Sequence, residues 1–329
     1  MSILSAKYFH DEKAAYRYVE GIIWPNGPIC PHCGGVERVG ALKGKSTRIG
    51  VYKCYQCRKP FTVKVGTIFE SSHLPLRVWL QAIFLMVGSK KGISSNQLHR
   101  ALGVSLKTAW FLSHRIREAM RLGTLAPFGS MGGAVEVDET FIGNDKQNPA
   151  PTGKKRSAHM NKVLSLVDRE SGQVRSYVVD DLRVKTIAPI LAENISREAR
   201  LMTDEAGHYK GLGWQFVEHG VVSHSKDEYV KKDDVTVHTN TIEGYFSIFK
   251  RGMRGIYQHC DKRHLHRYMA EFDFRYSNRA ALGVDDTERA ENVLRGAQGK
   301  RLTYQTTRSK GPAFSWKEGY TWPKSESRN

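Results

Sequence analysis

Long apolar runs are missing from this chain. No stretch approaches the roughly 20 consecutive apolar residues that a bilayer-spanning helix needs. The opening Met1-Ser-Ile-Leu-Ser-Ala-Lys holds no secretory apolar segment, so the protein is expected in the cytoplasm, with no membrane partner. Internal repeats are absent too, which removes solenoid and propeller architectures. Cysteine is scarce: five occur in 329 residues, four of them in two tight pairs. In a cytosolic protein that pairing points to metal before disulfide, and Cys260 is left as a reduced thiol. Acidic residues are few beside basic ones, 33 Asp and Glu against 51 Lys and Arg, a net charge of +18. Such an excess favours a polyanion, because each phosphate contact releases condensed counterions. No basic amphipathic helix suited to an anionic membrane surface is visible, so nucleic acid is the favoured partner.

What is present divides the chain into four parts. Residues 1–70 hold a short amphipathic helix over 10–20 and then Cys30-Pro-His-Cys33 and Cys54-Tyr-Gln-Cys57. Two C-x2-C knuckles about 20 residues apart let four thiolates close on one tetrahedral ion, and short strands between them make a zinc ribbon. His32 is then surplus as a ligand. Residues 71–125 read as a helix over 76–87, a second over 95–102, a turn at Gly103-Val104 and a third helix from Ser105 to about Met120. That is the helix-turn-helix pattern, with Lys107, Arg115, Arg117 and Arg121 expected to face DNA. A three-helix bundle with a basic surface is the bland alternative.

A Gly- and Pro-containing connection over 123–133 precedes a catalytic domain over 130–282. Strands are expected at 134–142, 162–168, 174–180 and 199–204, with a helix over 185–195, and 143–160 as a mobile loop between the first two strands. Three antiparallel strands, a helix and a further strand match the opening of an RNase H-like fold. The fold class is therefore α/β: an RNase H-like mixed sheet behind a zinc ribbon and a helix-turn-helix. After Asp204 a short helix over 208–217 and a polar connection lead to helices over 239–250 and 262–279. Beyond about 283 the patterning fades into a basic tail, 283–329, expected to touch phosphate or to remain partly disordered.

The chemistry gathers between Asp204 and Lys250. Asp204 ends a strand, and Glu243 and Lys250 lie seven residues apart on one face of the 239–250 helix. Asp138, near the middle of the first strand, would complete a carboxylate cluster. Phosphodiester cleavage requires an activated oxygen nucleophile and charge stabilisation on both sides of phosphorus. Two divalent ions held by carboxylates, Mg²⁺ or Mn²⁺, provide both. Asp204 is the best candidate to bridge the two ions, Glu243 to hold one, and Lys250, with neighbouring Arg251, to meet substrate phosphate. Rivals remain: Glu136 and Glu139 for Asp138, Glu205 for Asp204, and Asn240 for Glu243. His238 is more readily structural than catalytic.

The order of zinc ribbon, helix-turn-helix, Val137-Asp138-Glu-Thr-Phe-Ile-Gly143, Thr203-Asp204-Glu205 and His238-Thr-Asn-Thr-Ile-Glu243-Gly-Tyr-Phe-Ser-Ile-Phe-Lys250 resembles DDE transposases of bacterial insertion sequences. The group resembled is the ISXO2-like one, with an N-terminal zinc ribbon and an RNase H-like core. The resemblance covers roughly residues 10–280 and is most specific over 238–279. It implies a catalytic set of Asp138, Asp204 and Glu243 with Lys250 as accessory lysine. Some members carry Asn at the third position, which keeps Asn240 in play. It also implies binding to terminal inverted repeats, cleavage that exposes a 3′-OH, transfer of that hydroxyl into target DNA, a homo-oligomeric synaptic complex and a place at the bacterial nucleoid. A non-catalytic DNA-binding regulator and an RNase H-like nuclease remain the alternatives.

Overall fold

The computed structural model describes residues 3–303 apart from 122, 124, 125, 147, 148, 150, 210, 224, 226 and 227. The tail residues Arg308, Lys310, Trp316 and Trp322 therefore lie outside the described residues.

The N-terminal half is built from helix α1 (Glu12–Ile23), a three-stranded antiparallel ribbon and three further helices. The ribbon strands are β1 (Val39–Ala41), β2 (Tyr52–Cys54) and β3 (Pro60–Phe61). The helices are α2 (Leu76–Val87), α3 (Ser95–Leu102) and α4 (Leu106–Met120). Each helix start follows from its capping residue. Asp11 accepts from the Ala14 amide, Ser105 from that of Thr108, and Ser94 with Gln97 closes a reciprocal capping box. Gly103 turns the chain between α3 and α4 at a φ of 63°, a left-handed conformation that glycine adopts without strain.

One apolar core joins the ribbon to α1, α2, α3 and α4, so the division at residue 70 separates no independent packing unit. The same core takes in Val293, Leu294 and Ala297. These follow from helix α8 (Asp286–Arg295), within the segment expected to be patternless tail. The expectation fails because α8 is rich in charge and offers little apolar periodicity. Its legible signal was Asp285, whose side chain accepts from the Glu288 amide at the helix start. Lys300 is also not a free phosphate contact: its ammonium donates to the carbonyls of Ala119 and Arg121 at the end of α4.

The second half is a five-stranded mixed sheet: β4 (Ala134–Ile142), β5 (Asn161–Asp168), β6 (Val174–Val179), β7 (Arg200–Asp204) and β8 (Glu218–Val222). Its order is β6-β5-β4-β7-β8, with β4 antiparallel to β5, β5 antiparallel to β6, and β7 parallel to both β4 and β8. This is the RNase H-like arrangement. Helix α5 (Val184–Asn194) covers one face of the sheet through Ile187 and Leu191. Helices α6 (Asn240–Gly252) and α7 (Lys262–Ser277) cover the other through Ile242, Phe249 and Leu265. Alternation along β5 produces both layers, Leu164 and Leu166 pointing to α5, Val163 and Val167 to α6 and α7.

Strand β8 replaces part of the connection expected after Asp204, and the helix expected over 208–217 is reduced to a short 3₁₀ turn at Gly213–Gln215. Gly220 weakened the strand signal. It is required there because a Cβ would stand 2.6 Å from the Met202 sulfur and under 3 Å from both methyls of Val237. The 143–160 segment is not wholly a solvated loop, since Asp145 is buried in an ion pair with Lys262, 2.8 Å away.

Helix α4 corrects a further expectation. Arg115 and Arg117 are 5% and 1% exposed and do not face outward. Arg115 donates to the Glu70 carbonyl at 2.6 Å, and Arg117 pairs with Glu271 of α7 at 2.6 Å. All residues from Leu112 to Met120 are buried. Within this helix basic side chains alternate with apolar ones around the whole circumference, so residue type alone did not separate the DNA-facing reading from the packed one. Lys107 remains exposed at the start of α4, and Arg121 is partly exposed beside Glu118.

Asp273 ties the sheet to its helical cover. Its carboxylate accepts from the Ser176 amide and hydroxyl and from the Tyr245 hydroxyl, linking α7, β6 and α6. Burial pushes its pKa up to about 7, with the three hydrogen bonds pulling the other way. Being raised above the unfolded value, it contributes stability that is fully present below about pH 4 and lost as pH rises towards 7. Asp273→Asn is expected to flatten the fall of thermal stability between pH 4 and 7, measured as the wild-type-minus-variant difference in Tm across that range.

Candidate active site and zinc ribbon

The parallel pairing of β4 with β7 matches Ala134 to Arg200 and Glu136 to Met202. Carried on by two residues, that register sets Asp138 beside Asp204 on adjacent strands. Helix α6 crosses this face, and its first turn carries Glu243. Asp138, Glu139 and Asp204 each present a carboxylate oxygen within 4.8 Å of the others. Glu139, weighed above only as a substitute for Asp138, thus stands with it. Its Oε2 accepts from the Tyr209 hydroxyl at 2.8 Å and lies 3.2 Å from His208 Nε2. No local signal marks this, because His208 and Tyr209 reach Glu139 only through the chain reversal after β7.

The electrostatics show how crowded the negative charge is. Asp138 is pushed up to about 8, first by burial and then by the carboxylates of Glu139, Asp204 and Glu243. The half-buried carboxylates of Asp138, Glu139 and Asp204 converge as the oxygen donor set that a hard divalent cation requires, so these residues fit such an ion. Glu243 stands outside the tight trio, yet its charge acts on Asp138. Asn240 is exposed at the first position of α6. Lys250 lies two turns beyond Glu243, its ammonium 5.8 Å from the centre of the Phe246 ring, and Arg251 is exposed with its guanidinium bonded to Ser247.

The rival carboxylates have other work. Glu136 is fully buried, accepts from Arg169 Nε at 2.6 Å and caps α6 by accepting from the Ile242 amide at 2.8 Å. Arg169 in turn donates to the Thr236 and His238 carbonyls and lies 2.9 Å from His238 Nδ1. His238 therefore belongs to this brace. One buried carboxylate on β4, two residues before Asp138, thereby holds the start of the helix that bears Glu243. Glu205 is occupied by Ser223 and Ser225, whose groups donate to it.

The ribbon cysteines also converge. Sγ atoms of Cys30 and Cys57, and of Cys33 and Cys54, lie 3.6 Å apart, and all four fall within 4.8 Å. Tetrahedral Zn–S bonds of about 2.3 Å imply sulfur spacings of ~3.8 Å, so the four thiolates fit zinc. Cys30 and Cys54 are fully buried among the residues of the N-terminal core.

Two outcomes follow from this geometry. Glu136→Ala leaves Arg169 without its carboxylate and α6 without its cap, and should destabilise the protein by about 3 kcal/mol in urea unfolding. Glu136→Gln should lose less, because its oxygen still accepts from the Ile242 amide. Cys33→Ser should abolish zinc, from one equivalent per chain to none by elemental analysis. The far-ultraviolet circular dichroism of the sheet domain should persist.

Two family models match parts of this chain. A family model described as the ISXO2-like transposase domain matches residues 130–277, and one described as the transposase zinc-ribbon domain matches residues 10–60. The chain is 27% identical over 292 residues to an uncharacterized protein in the transposable element ISH50 of Halobacterium salinarum, covering 83% of this chain and 93% of that one. A solved structure, that of the Mos1 strand transfer complex, shares 13% identity over 60% of this chain and 75% of its own. Its TM-score of 0.19 is too low to bear on the argument. No described helix is long and apolar enough to cross a membrane. With a zinc-ribbon domain ahead of an acidic RNase H-like site, the chain is similar to the ISXO2-like transposases over those matched residues.

Proposed function

We propose that this protein is a DNA transposase that binds the terminal inverted repeats of its element, cleaves DNA at the ends and transfers the exposed 3′-OH into target DNA. The observation that carries this reading is the convergence of Asp138, Glu139 and Asp204 beneath the Glu243 turn of α6, with the Asp138 pKa raised by burial and then by its neighbours' charge. Asp138, Asp204 and Glu243 would hold two divalent ions, Mg²⁺ or Mn²⁺. Bound there, such ions polarise the scissile phosphate and make the attacking oxygen a better nucleophile at neutral pH. The remaining work falls to the chain. Glu139, fastened by Tyr209, keeps the negative field at the end of the trio. The Glu136–Arg169 brace fixes where Glu243 stands relative to Asp138. Lys250 extends from the same helix to meet a phosphate outside the metal-binding group. Lys107, Arg121 and Arg251 offer further phosphate contacts on the surface.

Juxtaposing two element ends calls for a homo-oligomeric synaptic complex. The protein's basic excess suits work at the nucleoid in the cytoplasm.

The test uses labelled DNA spanning an element end, with Mg²⁺. Wild type should nick at the repeat and join ends, whereas Glu243→Gln should bind with unchanged affinity and lose about a thousandfold in rate, equivalent to ~4 kcal/mol of transition-state stabilisation. Asn240→Ala should keep most of its activity. The reverse pattern would transfer the third catalytic role to Asn240, and DNA binding without cleavage under either metal would leave a DNA-binding regulator.

A further inference from the structure

Beyond the C-terminal end of β4 lies a cleft of about 1130 Å³ lined by none of Asp138, Glu139, Asp204 and Glu243; Asp261, which does line it, is paired with Arg263. Its walls come from the segment after β4 and from the end of α6, where the helix widens into a π-helical turn over Met253–Tyr257. Three exposed cations, Lys146, Arg156 and Arg254, line it and have no carboxylate partner among the described residues. Lys262, on the same wall, is neutralised by Asp145 and Asp180 and does not count towards its free charge.

Two further observations single out this cleft. Gln258, which lines it, has a φ of 52°, a left-handed conformation uncommon for a residue with a side chain. Strain of this kind and single π-turns both concentrate where structure serves function. Asn161, also a lining residue, is 3% exposed. Its Nδ2 donates to the Ile142 carbonyl, while its Oδ1 is buried without a hydrogen-bond partner. An orphaned buried acceptor beside unpaired cations describes a site for a molecule with N–H donors and anionic groups.

We propose that this cleft holds a single-stranded segment of nucleic acid, its phosphates on Lys146, Arg156 and Arg254 and a base edge towards Asn161. Pockets of 300–1,000 Å³ suit a drug-sized molecule, so this cleft has room for a few nucleotides and not for a duplex turn. Its position is continuous with the carboxylate site. Arg254 lies four residues beyond Lys250 and eleven beyond Glu243, close to three helical turns, hence on the same face and about 16 Å along the axis. The cleft thus receives the strand some nucleotides away from the phosphate being cut. This proposal rests on the transposase reading for its substrate and on the cleft geometry for its location.

The experiment compares the full chain with the Lys146→Ala/Arg156→Ala/Arg254→Ala variant, whose changes fall on exposed residues and spare both cores. Anisotropy of a fluorescein-labelled 12-nucleotide oligothymidylate and of a 12-base-pair duplex is followed across NaCl concentration. Each single-strand phosphate contact contributes about 0.7 to the slope of log K against log salt, so the variant should lose about 2 from that slope. Its affinity for the oligothymidylate should fall at least tenfold in 50 mM NaCl, with duplex binding changed much less. An unchanged single-strand slope overturns the proposal, as does an equal or larger loss on the duplex. Cleavage by wild type at an element end, run in parallel, separates the two readings. If wild type cuts while the slope is unchanged, only the cleft assignment falls. If the slope drops but wild type never cuts, the cleft stands and the catalytic reading falls.

Discussion

The ion pair between Arg117 of α4 and Glu271 of α7 joins the two halves of this protein, and both partners are removed from water. Arg275 adds a second guanidinium to Glu271 at 2.6 Å, and the Tyr257 hydroxyl donates to the same carboxylate. Arg117 also lies over the Tyr268 ring, 4.1 Å from its centre. Charges buried this way gain little net stability over apolar packing, but removing one partner strands the other and costs about 3–5 kcal/mol. The consequence is geometric. Helix α4 cannot leave the catalytic half to lie in a DNA groove without exposing that network. The ribbon, helices α2 to α4 and the RNase H-like sheet therefore form one packed body rather than beads on a linker.

The same logic operates on a smaller scale within the catalytic half. Glu136 and Asp138 share a strand and a face, yet Arg169 neutralises the first while the second faces the carboxylates of Glu139, Asp204 and Glu243. The paired carboxylate became a brace for α6, and the other stands in the acidic cluster that fits a divalent cation. Charge compensation, rather than position along β4, separates the bracing acid from the clustered one. It also explains why His238, which carries a ring suited to proton transfer, is spent on holding the brace.

Much of the architecture was legible from residue order. The C-x2-C spacing foretold the converging thiolates, Ser105 marked a helix start, and alternation marked β4 to β6. The acidic cluster was legible in part: Asp138 and Asp204, which the structure brings together, could be named from the strands that carry them. Glu139's membership could not, since its partners Tyr209 and His208 lie some seventy residues away. Helix α8 escaped because charged residues that seal a core from outside look, in one dimension, like a solvated tail.

By itself the sequence determined what is local or periodic: the zinc-ligand spacing, the capped helices, the strand pattern and the presence of carboxylates and excess positive charge. Those properties need only neighbours a few residues apart. Tertiary structure alone decided which charges are compensated. Arg115 and Arg117 sit on a helix that reads as a DNA-facing surface, and folding buried them against Glu70 and Glu271. Lys146, Arg156 and Arg254, from separate segments, were left around one cleft without acidic partners among the described residues. Whether a charge faces water, a partner or a substrate depends on the low-dielectric packing around it, and that packing is set by residues far away in the chain.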